Sequence, residues 1–397
     1  MTAPRPLSAG RLIVMGAAAT LVGVGLGRFA YAALLPGLIE AGWLSQADAG
    51  YVGAANLLGY LFGALLASRA ARWLGAGPVI KGSALLIGIG FAANAWAGPV
   101  WWFTLWRFVA GATGAFLMVV APSLIARQLP ESKRKKGTTW VFAGIGIGVF
   151  LSATLVPALI QQGLAFAWAG LALVCLPAIW LIWVRWPAPP SAAQQPTAPA
   201  QGAGLLLALV YLGYSLDAVG FVPHTVFWVD YLERQRGFTT FAAALQWGTF
   251  ALGAIAGPFL VGALARRVGW HRTLVTALTL KGSAVLLPAL VPGLAAISVS
   301  SFVVGAMIPG MVATTAGRIG ELVSPDHQTL AWGRATALFA LAQAGSAYLM
   351  AALYAHADNS GLIFQLGGAS LLSGAVIVLL SPRLAGRQAD RNSEAAG

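Results

Sequence analysis

Four charged side chains lie deep inside long apolar segments of this 397-residue chain: Arg28, Arg107, Asp217 and Lys281. A charge at the middle of a bilayer costs at least ~2.5–3.5 kcal/mol on insertion scales, so each one is a candidate functional group. A guanidinium binds a carboxylate or a phosphate through two parallel hydrogen bonds. Arg28 and Arg107 therefore indicate a site for an anion, and the alternative is that each arginine bonds backbone carbonyls of a neighbouring helix.

Asp217 and His224 are seven residues apart, which places them on one face of a helix. A carboxyl group removed from water can take up and release a proton, and histidine titrates near neutrality. We predict that this pair carries the coupling proton, together with Arg107. The alternative is a static ion pair between Asp217 and Arg28 or Arg107, which could itself be the coupling device.

The segments that hold these residues predict an all-α membrane protein. Only 9% of the residues are charged and 58% are hydrophobic, more apolar surface than a soluble fold of this size can bury. Each predicted span is near or above the ~20 residues that a spanning helix needs. The twelve spans are 11–38, 46–68, 76–98, 100–127, 137–160, 164–185, 203–231, 239–265, 272–291, 294–320, 329–355 and 361–381.

Lysine and arginine are distributed unevenly among the predicted loops. With the N-terminus in the cytoplasm, 19 of the 24 lie on the cytoplasmic side, two on the outer side and three inside spans. This asymmetry predicts a multi-pass protein of the bacterial inner membrane with both termini in the cytoplasm. The net charge of +13 then faces anionic lipid headgroups, and no nucleic-acid partner is expected.

A proline-rich stretch divides the spans into two sets of six. Residues 187–202 contain five prolines and no charge, a composition typical of a flexible linker. We predict an N-terminal six-helix bundle over 1–186, a cytoplasmic linker over 187–202 and a C-terminal bundle with a short cytoplasmic tail over 203–397.

The two halves share a repeated pattern of small residues and loop arginines. Gly59, Gly63, Arg72 and Gly75 recur 194 residues later as Gly253, Gly257, Arg266 and Gly269. Glycines four apart let two helices approach closely, and repeated six-helix halves suit a transporter that rocks about a central site.

The chain resembles the major facilitator superfamily over nearly its whole length, and two motifs carry the resemblance. The loop motif G-x-L-A-D-R-x-G-R of that family is similar to Gly262–Trp270 and, less completely, to Ser68–Gly75, although arginine replaces the aspartate in both copies. The span-four motif R-x-x-x-G-x-x-[GA] matches Arg107–Gly114. Gly27–Tyr31 and Gly50–Tyr60 resemble the YbfB/YjiJ-type branch.

The resemblance implies two pseudo-symmetric six-helix bundles around a cavity that spans one and four line, so that Arg28 and Arg107 would face it. Span seven would be central, and span nine peripheral, which favours a helix-packing or snorkelling role for Lys281. Arg72, Gly75, Arg266 and Gly269 would form the gating loops, without the acidic latch of the family. Further candidates for substrate binding, each with helix–helix bonding as the alternative, are Tyr31, Asn56, Tyr60, Trp228, Gln246 and Gln343.

We expect a secondary transporter, monomeric and without cofactor or metal, that moves a small organic solute by alternating access. The resembled branch favours proton-coupled efflux, and the basic cavity equally suits proton-coupled uptake of an organic anion. An enzyme is a distant alternative, because the four histidines are scattered and no nucleophile–base set is present. A channel is disfavoured by the absence of a charged ring or a filter-like segment.

Overall fold

The computed structural model describes residues 8–186, 204–356 and 361–394, without the side chains of residues 135, 325, 326, 329, 356 and 385–394. The predicted linker at 187–202 lies outside these ranges.

The described residues form eleven helical runs that are long and apolar enough to cross a membrane, and one of these runs contains two helices. The run Thr240–Leu290 is interrupted at Gly269, which separates α8 before it from α9 after it. Twelve helices result, in agreement with the predicted spans. The others are α1 Ala9–Glu40, α2 Gln46–Leu74, α3 Ala76–Ala93, α4 Val100–Gln128, α5 Glu131–Ile160, α6 Leu164–Arg185, α7 Gly204–Gln235, α10 Leu294–Leu322, α11 Pro325–His356 and α12 Leu362–Glu394.

Gly75 and Gly269 form matching turns in the two halves. Gly75 has φ 87° and ψ 143°, and Gly269 has φ 80° and ψ 165°. A residue with a Cβ atom rarely adopts this backbone, so glycine permits the reversal between α2 and α3 and again between α8 and α9.

Close packing extends the repeat to α4 and α10. A Cβ atom on Gly59 would meet the carbonyl oxygen of Phe108, and one on Gly253 would meet that of Phe302. The same relation joins Gly63 to Ala112 and Gly111 to Asn56 in the first half, and Gly257 to Ala306 and Gly305 to Phe250 in the second. Every residue in one set lies 194 positions from its counterpart, so α2–α4 and α8–α10 are the same helix pair built twice.

We call the helix ends on the side of Ala9 the near ends and the opposite ends the far ends. At the far ends, Gln46 of α2 donates through Nε2 to the carbonyl of Tyr354 on α11 at 2.9 Å and accepts from Arg234 Nη2 of α7 at 3.0 Å. Tyr354 Oη donates to Asp230 Oδ2 at 2.7 Å, and Arg234 lies 3.6 Å from Asp230 Oδ1. These four residues, the far latch, join the two halves at this side.

Two helices are interrupted along their length, and α7 is interrupted again at its far end. Helix α1 passes through a wider π-helical segment at Leu21–Leu26 before it resumes at Ala30, and α7 does so at Pro223–Phe227 and again at Tyr231–Gln235. Such irregular backbone exposes main-chain polar groups, which inside a membrane must bond to protein groups. The candidate site lies beside these interruptions.

Candidate functional site

Arg107 closes the interruption in α1. Its Nη1 donates to the carbonyl of Gly27 at 2.8 Å and its Nη2 to that of Arg28 at 3.2 Å, while the guanidinium carbon lies 4.6 Å from the ring centre of Tyr31. Asn56 Nδ2 donates to the carbonyl of Arg107 at 3.0 Å. The geometry thus follows the alternative in which this arginine bonds backbone carbonyls, and a role for Arg107 in substrate binding or coupling stays a prediction.

Arg28 is also buried, with 8% of its surface exposed, yet its guanidinium is surrounded by rings rather than acceptors. The guanidinium carbon lies 4.8 Å from the ring centre of Phe221, 5.5 Å from that of Tyr60 and 5.6 Å from that of Phe29. Among the described residues, its Nε and Nη2 groups have no hydrogen-bond partner. Arg28 therefore holds donors that are free to bind an anion.

Asp217 is paired with Lys281. Lys281 Nζ on α9 lies 2.5 Å from Asp217 Oδ1 on α7, and neither side chain is more than 2% exposed. The snorkelling role predicted for Lys281 is wrong, because its ammonium group is buried and paired with Asp217. A helix-packing role for Lys281 stays a prediction. The partner of Asp217 is also different from the two arginines considered from sequence. The sequence could have indicated this pair, because Asp217 and Lys281 are opposite charges inside spans of the same half. The peripheral position expected for span nine argued against it.

The ring of Phe221 connects the ion pair to Arg28. Lys281 Nζ lies 5.0 Å from the ring centre of Phe221, and the Arg28 guanidinium carbon lies 4.8 Å from the same point. The two cations are therefore within about 10 Å of each other. Because Arg28 belongs to the first half and the other two residues to the second, the cluster crosses the boundary between the halves.

His224 is fully buried and its tautomer follows from its partner. Ser300 Oγ donates its single proton to the carbonyl of Ala284 at 2.6 Å, so it must accept from His224 Nε2 at 2.8 Å. The ring stacks on Trp228 with centres 4.3 Å apart. His224 faces α10 whereas Asp217 faces α9, so a relay between them stays a prediction.

Most of the remaining predicted binding residues use their side chains in hydrogen bonds between helices. Gln246 Nε2 donates to Ser298 Oγ at 3.1 Å, and its Oε1 accepts from Ser301, which also accepts from Trp228 Nε1. Tyr31 Oη donates to the carbonyl of Ala49 at 2.7 Å.

Gln343 is the exception among these residues. Its side chain is fully buried, and neither amide atom has a hydrogen-bond partner among the described residues.

The predicted gating arginines, Arg72 and Arg266, are exposed at near ends. An acidic contact lies close to the second of these loops but comes from another helix. Glu321 of α10 accepts from the amide of Trp270 at 3.4 Å and pairs with Arg318 at 2.8 Å. Sequence motifs alone did not indicate this contact, and a gating role for Arg72, Gly75, Arg266 and Gly269 stays a prediction.

Curated relatives of this chain are transporters by name. The chain is 26% identical over 297 residues to the gallate transporter of Pseudomonas putida, covering 63% of this chain and 64% of the relative. It is 29% identical over 245 residues to the 3-(3-hydroxy-phenyl)propionate transporter of Escherichia coli K12, covering 57% and 58%. A third, the 4-hydroxybenzoate transporter PcaK of Pseudomonas putida, is 30% identical over 138 residues, or 34% of this chain and 31% of the relative. The chain thus spans less than two thirds of each relative.

Solved structures share the fold at low sequence identity. A D-xylose–proton symporter superposes with a TM-score of 0.76 at 18% identity over 94% of this chain and 97% of that one. The human organic anion transporter MFSD10 gives 0.68 at 18% identity over 94% and 100%. These likenesses establish the major facilitator fold with its two six-helix bundles. A family model described as uncharacterised MFS-type transporter YbfB matches residues 20–379, and the chain belongs to that family of multi-pass membrane transporters.

Proposed function

We propose that this protein is a proton-coupled transporter of a small organic anion, which binds to Arg28 between the two halves. The observation that carries the proposal is the buried Arg28 guanidinium, whose Nε and Nη2 groups have no partner among the described residues. A buried charge without a partner is costly, and a carboxylate on the substrate would supply the missing acceptor. Asp217 is not available as that partner, because it is already paired with Lys281.

Aromatic carboxylates are the first substrates to test. The named relatives are transporters of gallate, 4-hydroxybenzoate and 3-(3-hydroxy-phenyl)propionate, each of which joins a ring to a carboxyl group. In this chain the Arg28 guanidinium is surrounded by Phe29, Tyr60 and Phe221. Phe29 in turn lies 6.1 Å from the rings of Trp247 and Phe250. A flat ring next to a bound carboxylate would find aromatic partners on both halves.

The coupling proton is proposed to load on Asp217. Protonation removes a negative charge near Arg28 and so favours an anion there. Lys281, the partner of Asp217, lies within about 10 Å of the Arg28 guanidinium. At such a separation two unit charges interact by roughly 1.7 kcal/mol at an effective dielectric constant of 20, somewhat more than tenfold in affinity. By linkage, the bound anion favours the proton by the same factor.

The sign of this coupling favours symport. A proton and an anion that bind together travel together, which gives uptake under an inward proton gradient. Efflux by antiport, which the resembled branch favoured, requires the proton to displace the anion, and the charges of this cluster oppose that.

The near ends are proposed to face the cytoplasm of a bacterial cell. The lysine and arginine residues of the loops gather at these ends, as the positive-inside rule requires. A reporter enzyme that is active only in the periplasm, fused after Gln235, should be active, and the same fusion after Arg185 should be silent. The opposite result would reverse the orientation.

The function is tested with the full-length protein in proteoliposomes. Labelled 4-hydroxybenzoate, gallate and 3-(3-hydroxyphenyl)propionate are supplied outside with an inside-alkaline pH gradient, and D-xylose serves as a neutral comparison. We expect accumulation of at least one aromatic acid that a protonophore abolishes. Arg28→Gln should raise KM at least tenfold, whereas Arg69→Gln, at an exposed near-end arginine, should leave KM unchanged.

Accumulation under the opposite gradient would assign antiport and efflux. Transport of D-xylose alone would show that the substrate is not an organic anion. An unchanged KM in Arg28→Gln would show that Arg28 does not bind the substrate.

A further inference from the structure

A second site lies away from the central cluster, in a groove formed by the near halves of α1, α5 and α6. Its volume is about 610 Å³, within the range of small-molecule sites. Its walls contain only glycine, alanine, proline, aliphatic side chains and one tryptophan. The lining residues are Gly10, Ile13, Val14, Ala17, Ala18, Leu21, Trp140, Gly144, Ile147, Pro177, Ala178 and Leu181. We call this the near groove.

The near groove opens toward the bilayer. Its lining residues Val14 and Trp140 are 57% and 45% exposed. On α6, next to the groove residue Pro177, Leu176 and Trp180 are large apolar side chains that are 52% and 60% exposed. Exposed apolar rims of this kind face lipid in a membrane protein, so the occupant enters from the apolar phase.

Cations stand at the near end of the same groove. Lys133 and Lys136 precede Trp140 by seven and four residues on α5, which places all three on one helical face. Arg185 follows the groove residue Leu181 by four on α6. All three cations are exposed, where the headgroup layer would meet them.

We propose that the near groove binds one anionic phospholipid, with an acyl chain along the apolar walls and the phosphate held by Lys133, Lys136 and Arg185. The walls offer a flexible hydrocarbon chain contact without a polar group to satisfy. The three cations select a headgroup of net negative charge, because a choline headgroup would bring its own cation among them. The site is independent of the central cluster and of the transported substrate.

The test uses the purified full-length protein, stripped of lipid in detergent and titrated with palmitoyl-oleoyl phosphatidylglycerol or the matching phosphatidylcholine. Native mass spectrometry counts the lipids retained. We expect one tightly held phosphatidylglycerol and at least tenfold weaker retention of phosphatidylcholine. The triple variant Lys133→Gln/Lys136→Gln/Arg185→Gln should weaken phosphatidylglycerol binding by roughly two orders of magnitude.

Two comparisons separate a built site from general surface charge. Arg266→Gln/Arg267→Gln/Arg272→Gln removes the same charge at the near ends of the second half and should leave the bound lipid in place. Ala178→Trp fills the groove while keeping the cations and should lose it. Equal loss in the two triple variants, an unaffected Ala178→Trp, or equal retention of the two lipids would each overturn the proposal.

Discussion

Lys281 Nζ lies 2.5 Å from Asp217 Oδ1 with both side chains removed from solvent, and this pair joins α9 to α7. A buried ion pair costs desolvation on both sides, so its presence is weak support for stability. The pair lies next to Phe221, the ring that also meets Arg28, and so adjoins a residue of the first half.

Removing one partner of this pair should destabilise the protein far more than removing both. Lys281→Met or Asp217→Leu alone leaves an uncompensated buried charge, and we expect a loss of about 3–5 kcal/mol in the free energy of unfolding. The double variant should recover most of that loss. Unfolding of the purified protein in detergent measures stability.

Proton-driven flux in proteoliposomes should be lost in the double variant despite its recovered stability. Flux that returns with stability would show that the pair serves only structure. If the double variant is no more stable than either single variant, then Asp217 and Lys281 do not form the ion pair described.

Substitution of Arg107 should mainly lower stability, whereas substitution of Arg28 should mainly weaken anion binding. Arg107→Ala deletes two charge-assisted hydrogen bonds to the carbonyls of Gly27 and Arg28, each worth about 1.5–3 kcal/mol, and should lower the melting temperature. Arg28→Gln deletes no hydrogen bond of Nε or Nη2 and should alter the melting temperature little while weakening anion binding. Thermal unfolding with and without 4-hydroxybenzoate measures both effects.

The conservative variant Arg107→Lys should restore part of the stability, because an ammonium can reach one carbonyl but not both in the planar geometry of a guanidinium. If Arg107→Ala keeps its melting temperature and loses only ligand stabilisation, then the two arginines have the reverse roles.

The duplicated glycines should be intolerant of a single methyl group. Gly59→Ala places a Cβ against the Phe108 carbonyl and Gly253→Ala places one against the Phe302 carbonyl, so α2–α4 or α8–α10 must separate. We expect a loss of folded protein in both, measured by size-exclusion chromatography and thermal unfolding. Gly248→Ala is the matched control on α8, because nothing lies within 4 Å of a Cβ there. A stable Gly253→Ala would mean that these helices are not in contact as described.

The fold could be predicted from the sequence because its signals are local. Apolar length gives the spans, and the glycines 194 residues apart give the duplication, since both depend only on residue type and spacing. Gly269 is an example of such a signal. The positive φ of this glycine separates α8 from α9, at the position that corresponds to Gly75 between α2 and α3.

The contacts of the site could be predicted only in part. Arg28, Arg107 and Asp217 were identified by the cost of burying a charge, but their partners depend on helix rotation. Arg107 bonds the carbonyls of Gly27 and Arg28, which follow the π-helical segment Leu21–Leu26 of α1. The residue types in that segment did not predict the interruption. The pairing of Asp217 with Lys281 needed the relative rotation of α7 and α9, which hydropathy does not encode.

The far latch should control the opening of the far side. Gln46 is its only member from the first half, and it bonds both Tyr354 and Arg234 of the second. Gln46→Ala removes these two bonds, worth roughly 1–3 kcal/mol together, and should shift the population toward a far-open state by about tenfold. Ala244 lines a crevice of about 10 Å³ between the far parts of α1, α5, α7 and α8, where opening would admit a reagent.

The shift can be read with a cysteine at that crevice. The one native cysteine, Cys175, is buried, so Ala244→Cys supplies the accessible thiol. A membrane-impermeant maleimide added from the far side should label Ala244→Cys faster when Gln46→Ala is also present. Gln162→Ala, at an exposed far-end glutamine, should leave the rate unchanged. Equal labelling in all three backgrounds would show that the far side is held closed by the apolar contacts between the halves, and that the hydrogen bonds of Gln46 only accompany closure.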